Sequence, residues 1–548
     1  MKRFTQRHLA ALGLTLGLGL ALPACNLDRS PEFELSSDTV YNNVTGMRQV
    51  MAKLYGGLIL TGQNGGSGAG DISFPDEGFT SYTRQLWKAQ EVTTDEATLA
   101  WGDAGAQDYN KLSFDPLNTY SSMMYSRVMF QVSACNDFLR NTTDEQLKRR
   151  GISSEADKAL VKTYRAEARF LRALSYWHGL DLFGSMPFVT ENDVVGAIKP
   201  SQYSRQQLFD YVETELKEID ADLVAPRQNQ YPRADKAAAW MVLAKLYLNA
   251  KVYTGQERNT DCLTYCNRII GQGGYQLQRT GTPTATAYSR NFLADNNTSP
   301  ELIFAVASDG LRTQNYGGTT FLVHASIGGQ AMQARDYGVG SGWAGLRTRR
   351  EFVLSFTDTT GTTDKRAMFF RRGQQLNITN LLGQFAQGYA VTKYRNITSA
   401  GAVGSDASNF VDTDYPMFRL ADVYLMYAEA VLRRGQGGDA TTALGYINDL
   451  RDRAYGNANG RVSAADFGAL DADGHPLFVL AERGRELYWE GHRRTDLIRF
   501  DRFTTAKKLW QWKGAVANGQ AVDSKFNLFP IPAVDLSVNS NLKQNPGY

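Results

Sequence analysis

Five histidines and four cysteines in 548 residues leave little material for a metal centre or a disulfide framework. His178 and His492 fall inside helical patterns, and His324 and His475 stand isolated in the sequence. Charge of one sign is also missing, with 59 Lys and Arg against 56 Asp and Glu. Removing residues 1–24 takes away Lys2, Arg3 and Arg7 and no acid, so the formal +3 falls to zero. No basic footprint for nucleic acid survives. Beyond Leu22 there is no apolar run long enough to cross a bilayer.

What is present begins with MKRFTQRHLAALGLTLGLGLALPAC, a basic start followed by an apolar stretch from Leu9 to Leu22. That pattern reads as a secretory signal. Its exit, Leu22-Pro23-Ala24-Cys25, resembles a bacterial lipobox, in which the cysteine is diacylated on sulfur and becomes the new N-terminus. The expectation is a leader over 1–24 and one domain over 25–548, anchored to a membrane by two or more acyl chains at Cys25. Cys135, Cys262 and Cys266 then remain, an odd number that argues for buried free thiols.

Helical periodicity dominates the rest. Leu160, Tyr164, Ala168, Leu171, Ser175 and His178 share one stripe, with Arg165, Arg169 and Arg172 largely off it. After a Gly- and Pro-containing loop the period returns in SRQQLFDYVETELKEIDADL, making a helix pair. DKAAAWMVLAKLYLNA with DCLTYCNRIIGQGGY repeats the arrangement, as does RLADVYLMYAEAVLRRG with ATTALGYINDLRDRA. Small residues on the first helix resemble the tetratricopeptide type of repeat without its full consensus. Such pairs stack, because one alone cannot bury its apolar face. NNVTGMRQVMAKLYGGL and SSMMYSRVMFQVSACNDFLRN add two earlier helices. The fold class is mainly α.

Two islands interrupt the repeats, near 61–118 and 271–415. In the second only ELIFAVAS suggests a strand; the remainder reads as long ordered loops, which often carry function. The glycines of the first lack the Gly-Lys-Ser/Thr ending of a phosphate loop, and a flexible loop is expected there. DADGH, from Asp471 to His475, fails as a calcium loop because Ala469 and Leu480 occupy ligand positions. No cofactor is implied, and no motif supports a structural calcium.

ERGRELYWEGHRRTDLIRF, from Glu482 to Phe500, spaces Glu482, Glu486 and Glu490 every four residues, on one face of a helix. Carboxylates so gathered serve either as acids and bases or as an ion network neutralised by Arg485, Arg493 and Arg494.

EARFLRALSYWHGLDLFGSMPFVTE, RLADVYLMYAEA, ERGRELYWEGHRRTDLIRF and the terminal LFPIPAVDLSVNSNLKQNPGY together resemble the SusD/RagB family of outer-membrane lipoproteins. The resemblance implies a right-handed superhelix of tetratricopeptide-like pairs, an irregular region bearing the ligand site, and cell-surface placement in the outer membrane. It also implies a partner, a TonB-dependent transporter of the SusC type, to which captured oligosaccharide is delivered. In the family the Glu482–Phe500 stretch is a scaffold signature, so its acids are expected to be struts.

DEGFTSYTRQLWKAQEVTTDEATLAWGD is similar to the starch-binding branch. By that resemblance Asp76, Arg84 and Trp101 are ligand contacts, joined by Trp343 and Tyr316 from the irregular region. The chain departs where an asparagine is expected after the tryptophan, having Gly102, Asp103 and Ala104. The chemistry stands by itself: a glucan packs its C–H face on an aromatic ring, while Arg and Asp bond its hydroxyls. A surface glycosidase is the enzymatic alternative, with Asp76, Asp95, Glu96 and Asp103 as acids, but adjacent Asp95 and Glu96 point apart. A peptide-binding member of the RagB kind is the other alternative.

Overall fold

The computed structural model describes residues 37–62, 65–67, 70–74, 78–194, 196 and 199–548; the leader, Cys25 and Asp76 lie outside them. Helix α1 (Val44–Gly56) begins where the Asn43 side chain accepts the Gly46 N–H at 2.9 Å, and it buries Met47, Met51 and Leu54. A short helix α2 (Tyr82–Trp87) follows. Asn118 caps α3 (Thr119–Asn141) through the N–H groups of Tyr120 and Ser121. The long α4 (Glu155–Phe183) stops at Gly184, whose φ of 75° a side chain would resist. Ser204 and Gln207 form a capping box at the head of α5 (Arg205–Glu218). Helix α6 (Lys236–Leu248) is apolar all round and buried from Ala237 onward, as a central helix must be, and α7 (Asn259–Gln272) packs on it. Helix α8 (Gly318–Ala325) lies within the irregular region, and after it come α9 (Leu420–Leu432), α10 (Ala440–Tyr455), α11 (Leu477–Leu487) and α12 (Arg493–Arg499).

The molecule is mainly α. Helix α4 packs on α5, α6 on α7 and α9 on α10, which are the three expected pairs. Contacts of α5 with α6 and of α7 with α9 link them into one stack, and α3 packs on α4. The apolar stripe of α4 holds from Tyr164 to His178 and fails at Leu160, which is 39% exposed in the helix's first turns. Arg172 is buried against expectation, a charge made tolerable by Glu191, Glu215 and Asn136. Cys135, Cys262 and Cys266 are buried free thiols.

The first island departs most from its expected flexibility. Every residue from Thr80 to Ala100 is buried. Several of the polar ones are accommodated by hydrogen bonds to the backbone: Thr93 Oγ1 donates to Ala89 O at 2.8 Å and Thr94 Oγ1 to Glu91 O at 2.7 Å. Thr98 Oγ1 donates to Asn110 Oδ1 at 2.8 Å. The segment is a second core strand of chain, locked to the far end of the sequence. Trp87 Nε1 donates to Trp489 O at 3.0 Å, and Trp489 Nε1 to Glu96 O at 3.1 Å. In the second island, ELIFAVAS supplies β2 (Leu302–Val306), antiparallel to β4 (Tyr415–Arg419); β1 (Thr98–Leu99) pairs with β3 (Leu346–Arg347). Helix α8 went unread because all eight of its residues are buried and it shows no polar face.

Glu482, Glu486 and Glu490 are struts. Glu482 meets Arg366 at 2.6 Å, Arg485 at 2.6 Å and Arg451 at 2.8 Å. Glu486 meets Arg419 at 2.7 Å, Arg366 at 3.3 Å and Arg453. Burial alone would raise the Glu486 carboxyl, but Arg453, Arg419 and Arg366 outweigh it and hold it down at about 2. Two details differ from the sequence reading. Helix α11 ends at Leu487, and Glu490 lies in a turn between Trp489 at φ 64° and Gly491 at φ 79°. Arg493 serves Asp95 instead, and Arg494 donates to the carbonyls of Phe526 and Asn527.

Candidate functional site

The hollow beside His178, Lys245 and His492 measures about 30 Å³, enough for a water and too little for a sugar. An open cleft of about 580 Å³ lies instead where the two islands meet, walled by Phe79, Arg84, Trp101, Asp103, Leu382 and the backbone of Gly102. Its position follows from local chemistry. The Asn110 side chain acts as a strand partner for Leu99, accepting its N–H at 3.0 Å and donating to its carbonyl at 2.9 Å. Ala100 N–H donates to Gly345 O at 2.8 Å, extending the β1 and β3 ladder to the residue before Trp101. Gly383 N–H then donates to Ala100 O at 2.8 Å and brings in Leu382, 47% exposed at the lip.

Trp101 is half-buried. Its indole rests on Gly345, where a Cβ would come within 2.1 Å of Cζ2, so glycine is required for close approach of ring to backbone. Indole Nε1 donates to Trp343 O at 3.2 Å. Trp343 is half-buried too, stacked on His324 with centroids 4.7 Å apart and planes 20° from parallel. His324 is clamped in turn, Nδ1 lying 2.8 Å from Ser341 O and Nε2 2.6 Å from Asn409 O. Burial pushes its imidazole below the usual value against the pull of those carbonyls. Tyr316 meets Trp343 edge-on at 6.1 Å and packs on Phe410 at 5.1 Å.

Arg84 projects from α2 into the cleft floor, its guanidinium carbon 4.3 Å from the Phe321 centroid and 4.8 Å from that of Phe79. Nη1 donates to Tyr316 O at 3.0 Å. Four residues expected as contacts are therefore joined: Trp101 to Trp343 and Arg84 to Tyr316, each through a side-chain N–H and a backbone carbonyl. Trp101 and Arg84 line the cleft; Trp343 and Tyr316 flank it. Asp76 is outside the described residues. Phe79 and Leu382 carried no signal in the sequence, since a lone apolar residue in a loop looks like any other.

The remaining acids are differently placed. Asp95 is buried and bound by Arg493 at 2.8 Å and Lys508 at 3.0 Å. Glu96 is buried as well, accepting the Trp489 N–H at 3.1 Å. Glu91 accepts N–H groups from Gly491 and His492 at 2.6 and 3.1 Å. Burial raises both glutamic acids, Glu91 to about 7; the neighbouring Glu91 raises Glu96 further, whereas a hydrogen bond from Glu96 lowers Glu91. Asp103 is exposed in the cleft wall.

Comparison with known proteins gives a consistent picture. A sequence model of the SusD family matches residues 372–548. The chain is 34% identical to the starch-binding protein SusD of Bacteroides thetaiotaomicron, over 100% of this chain and 99% of that one. Among solved structures, a SusD superfamily protein from Bacteroides vulgatus superposes with a TM-score of 0.68 at 19% identity, covering 92% of this chain and 99% of the other. The surface glycan-binding protein A of Bacteroides thetaiotaomicron, in complex with laminarihexaose, gives 0.66 at 18% identity, covering 91% and 99%.

Proposed function

The chain belongs to the SusD family, and from that premise we propose that it is a glycan-binding protein whose cleft takes a starch-type α-glucan. What supports the finer reading is one observation: the two half-buried tryptophans, 242 positions apart, are fastened to each other by the Trp101 N–H and the Trp343 carbonyl. Rings so fixed lose little entropy on binding, and a sugar's C–H face can settle on them without rearrangement. Arg84 in the floor donates to hydroxyls, while Asp103 and loop carbonyls accept from them. The likeness to a starch-binding relative over the whole chain favours an α-glucan.

In this reading the protein works by capture. Hydrolysis needs two acids at a set separation, and Asp95 and Glu96 are engaged elsewhere. Residues 1–24 are removed, Cys25 is acylated, and residues 25–548 face outward from an outer membrane. The captured glucan passes to a TonB-dependent transporter of the SusC type.

Calorimetry with maltoheptaose, against laminarihexaose as the β-linked control, tests the assignment. Binding of maltoheptaose by the wild type and its loss in Trp101→Ala are expected. Wild-type protein that ignores maltoheptaose overturns the α-glucan reading.

A further inference from the structure

Among the described residues that wall the cleft, Arg84 and Asp103 are charged, and Asp103 is the exposed one. Arg84 is 6% exposed and its guanidinium lies under the Phe79 and Phe321 rings, so its charge sits beneath the surface. Asp103 is exposed, and its carboxylate takes part in no hydrogen bond or ion pair among the described residues. Its charge still reaches the buried Tyr120 phenol, which burial and Asp103 together push up. The turn that carries it is rigid. Asp103 O accepts the Ala106 N–H at 3.0 Å, Gln107 Nε2 donates to Trp101 O at 2.8 Å, and Gly105, at φ 88°, reverses the chain in a conformation side chains resist.

A carboxylate so held accepts hydrogen bonds from hydroxyls strongly, because it is charged. It equally opposes any anionic group brought to the same place, since juxtaposed like charges are costly where water is partly excluded. We propose that Asp103 sets the charge specificity of the cleft, admitting uncharged glucans and rejecting those that carry carboxylate or sulfate groups. The inference rests on the reading of the cleft as a glucan site.

The test uses two ligands of one shape, maltoheptaose and maltoheptaose oxidised to carboxylate at C6, with the full-length soluble domain. Wild-type protein is expected to bind the oxidised form at least about tenfold more weakly at 20 mM salt, with the gap narrowing at 300 mM as charge is screened. In Asp103→Asn, which keeps the size and an acceptor, the ratio of the two affinities should move towards one at both salt concentrations. A ratio that is the same in wild type and Asp103→Asn overturns the proposal while leaving the glucan site standing, since the discrimination is then one of shape. Wild-type protein that binds neither sugar overturns both. A thermal midpoint for Asp103→Asn on the same preparation separates lost folding from altered preference.

Discussion

Arg419 holds Glu490 by two parallel hydrogen bonds, Nε to Oε2 at 2.6 Å and Nη2 to Oε1 at 2.8 Å. The same guanidinium reaches Glu486 and Glu301, both at 2.7 Å. One side chain on β4 thus fastens α11, the turn beyond it and the head of β2. All four residues are buried, so each charge depends on the others. Glu486→Ala takes from Arg453 one of its two carboxylates, leaving it Glu301, and removes one partner each from Arg419 and Arg366 in the interior; it should cost about 3–5 kcal/mol, read by urea unfolding. Sugar affinity of the protein that remains folded should not change. A variant that melts like the wild type but no longer binds would move these acids from scaffold to site.

The Glu91 and Glu96 carboxyls give stability a pH dependence of the opposite sense to most acids. Their values are raised on folding, so the stabilisation relative to the unfolded chain is fully present at low pH and is lost as pH rises, in the case of Glu91 through about 7. In Glu91→Gln the amide imitates the protonated acid and does not titrate. The variant should match the wild type near pH 4.5 and become progressively more stable than it towards pH 8. The difference should grow by up to about 1.4 kcal/mol per pH unit. A stability difference that stays constant across that range would contradict a raised Glu91 carboxyl.

Trp101 and Gly345 can be tested as a pair. Trp101→Ala should weaken maltoheptaose binding more than tenfold, at less than the about 3–5 kcal/mol of stability that truncating a fully buried tryptophan costs. Gly345→Ala changes no group that faces the cleft, yet its new methyl meets Cζ2 at 2.1 Å and must displace the ring. Its affinity should fall in the same direction by about tenfold. Full affinity in Gly345→Ala would show that the ring's position does not matter to binding.

The proposed function has the protein attached to the membrane through Cys25. No helix among the described residues is long and apolar enough to cross a bilayer. Cys25→Ala is expected to leave the protein in the soluble fraction of cells lacking the transporter, with an unchanged thermal midpoint. Retention in the membrane fraction would point to a different anchor.

Most of the helical frame was legible because helix pairs leave a 3.6-residue rhythm that needs only nearby residues to be seen. The charged stretch was half legible. Its spacing identified Glu482, Glu486 and Glu490 as a group, but apart from Arg485 their partners come from Arg366, Lys393, Arg419, Arg451 and Arg453, which no local pattern could nominate. The flexible loop expected before Trp101 is core for a related reason. Glycine and threonine in its first half resemble a linker, whereas burial of Thr93 to Glu96 is made tolerable by bonds to their own backbone and to residues near 490. At the cleft the tryptophans and Arg84 were reachable through family resemblance. Leu382 and the isolation of the Asp103 carboxylate are matters of geometry alone.

The fastening of Trp87 and Glu96 to Trp489 has a consequence for how the protein is made. The residues that seat the loop before Trp101 lie 393 positions downstream of it. A chain synthesised from its N-terminus therefore carries its future cleft in an unassembled state until nearly all of it has emerged. Truncated products cannot compete for sugar, because the pieces that position the ring arrive last. Binding competence is in this way a certificate of completion, issued by the same contacts that close the fold.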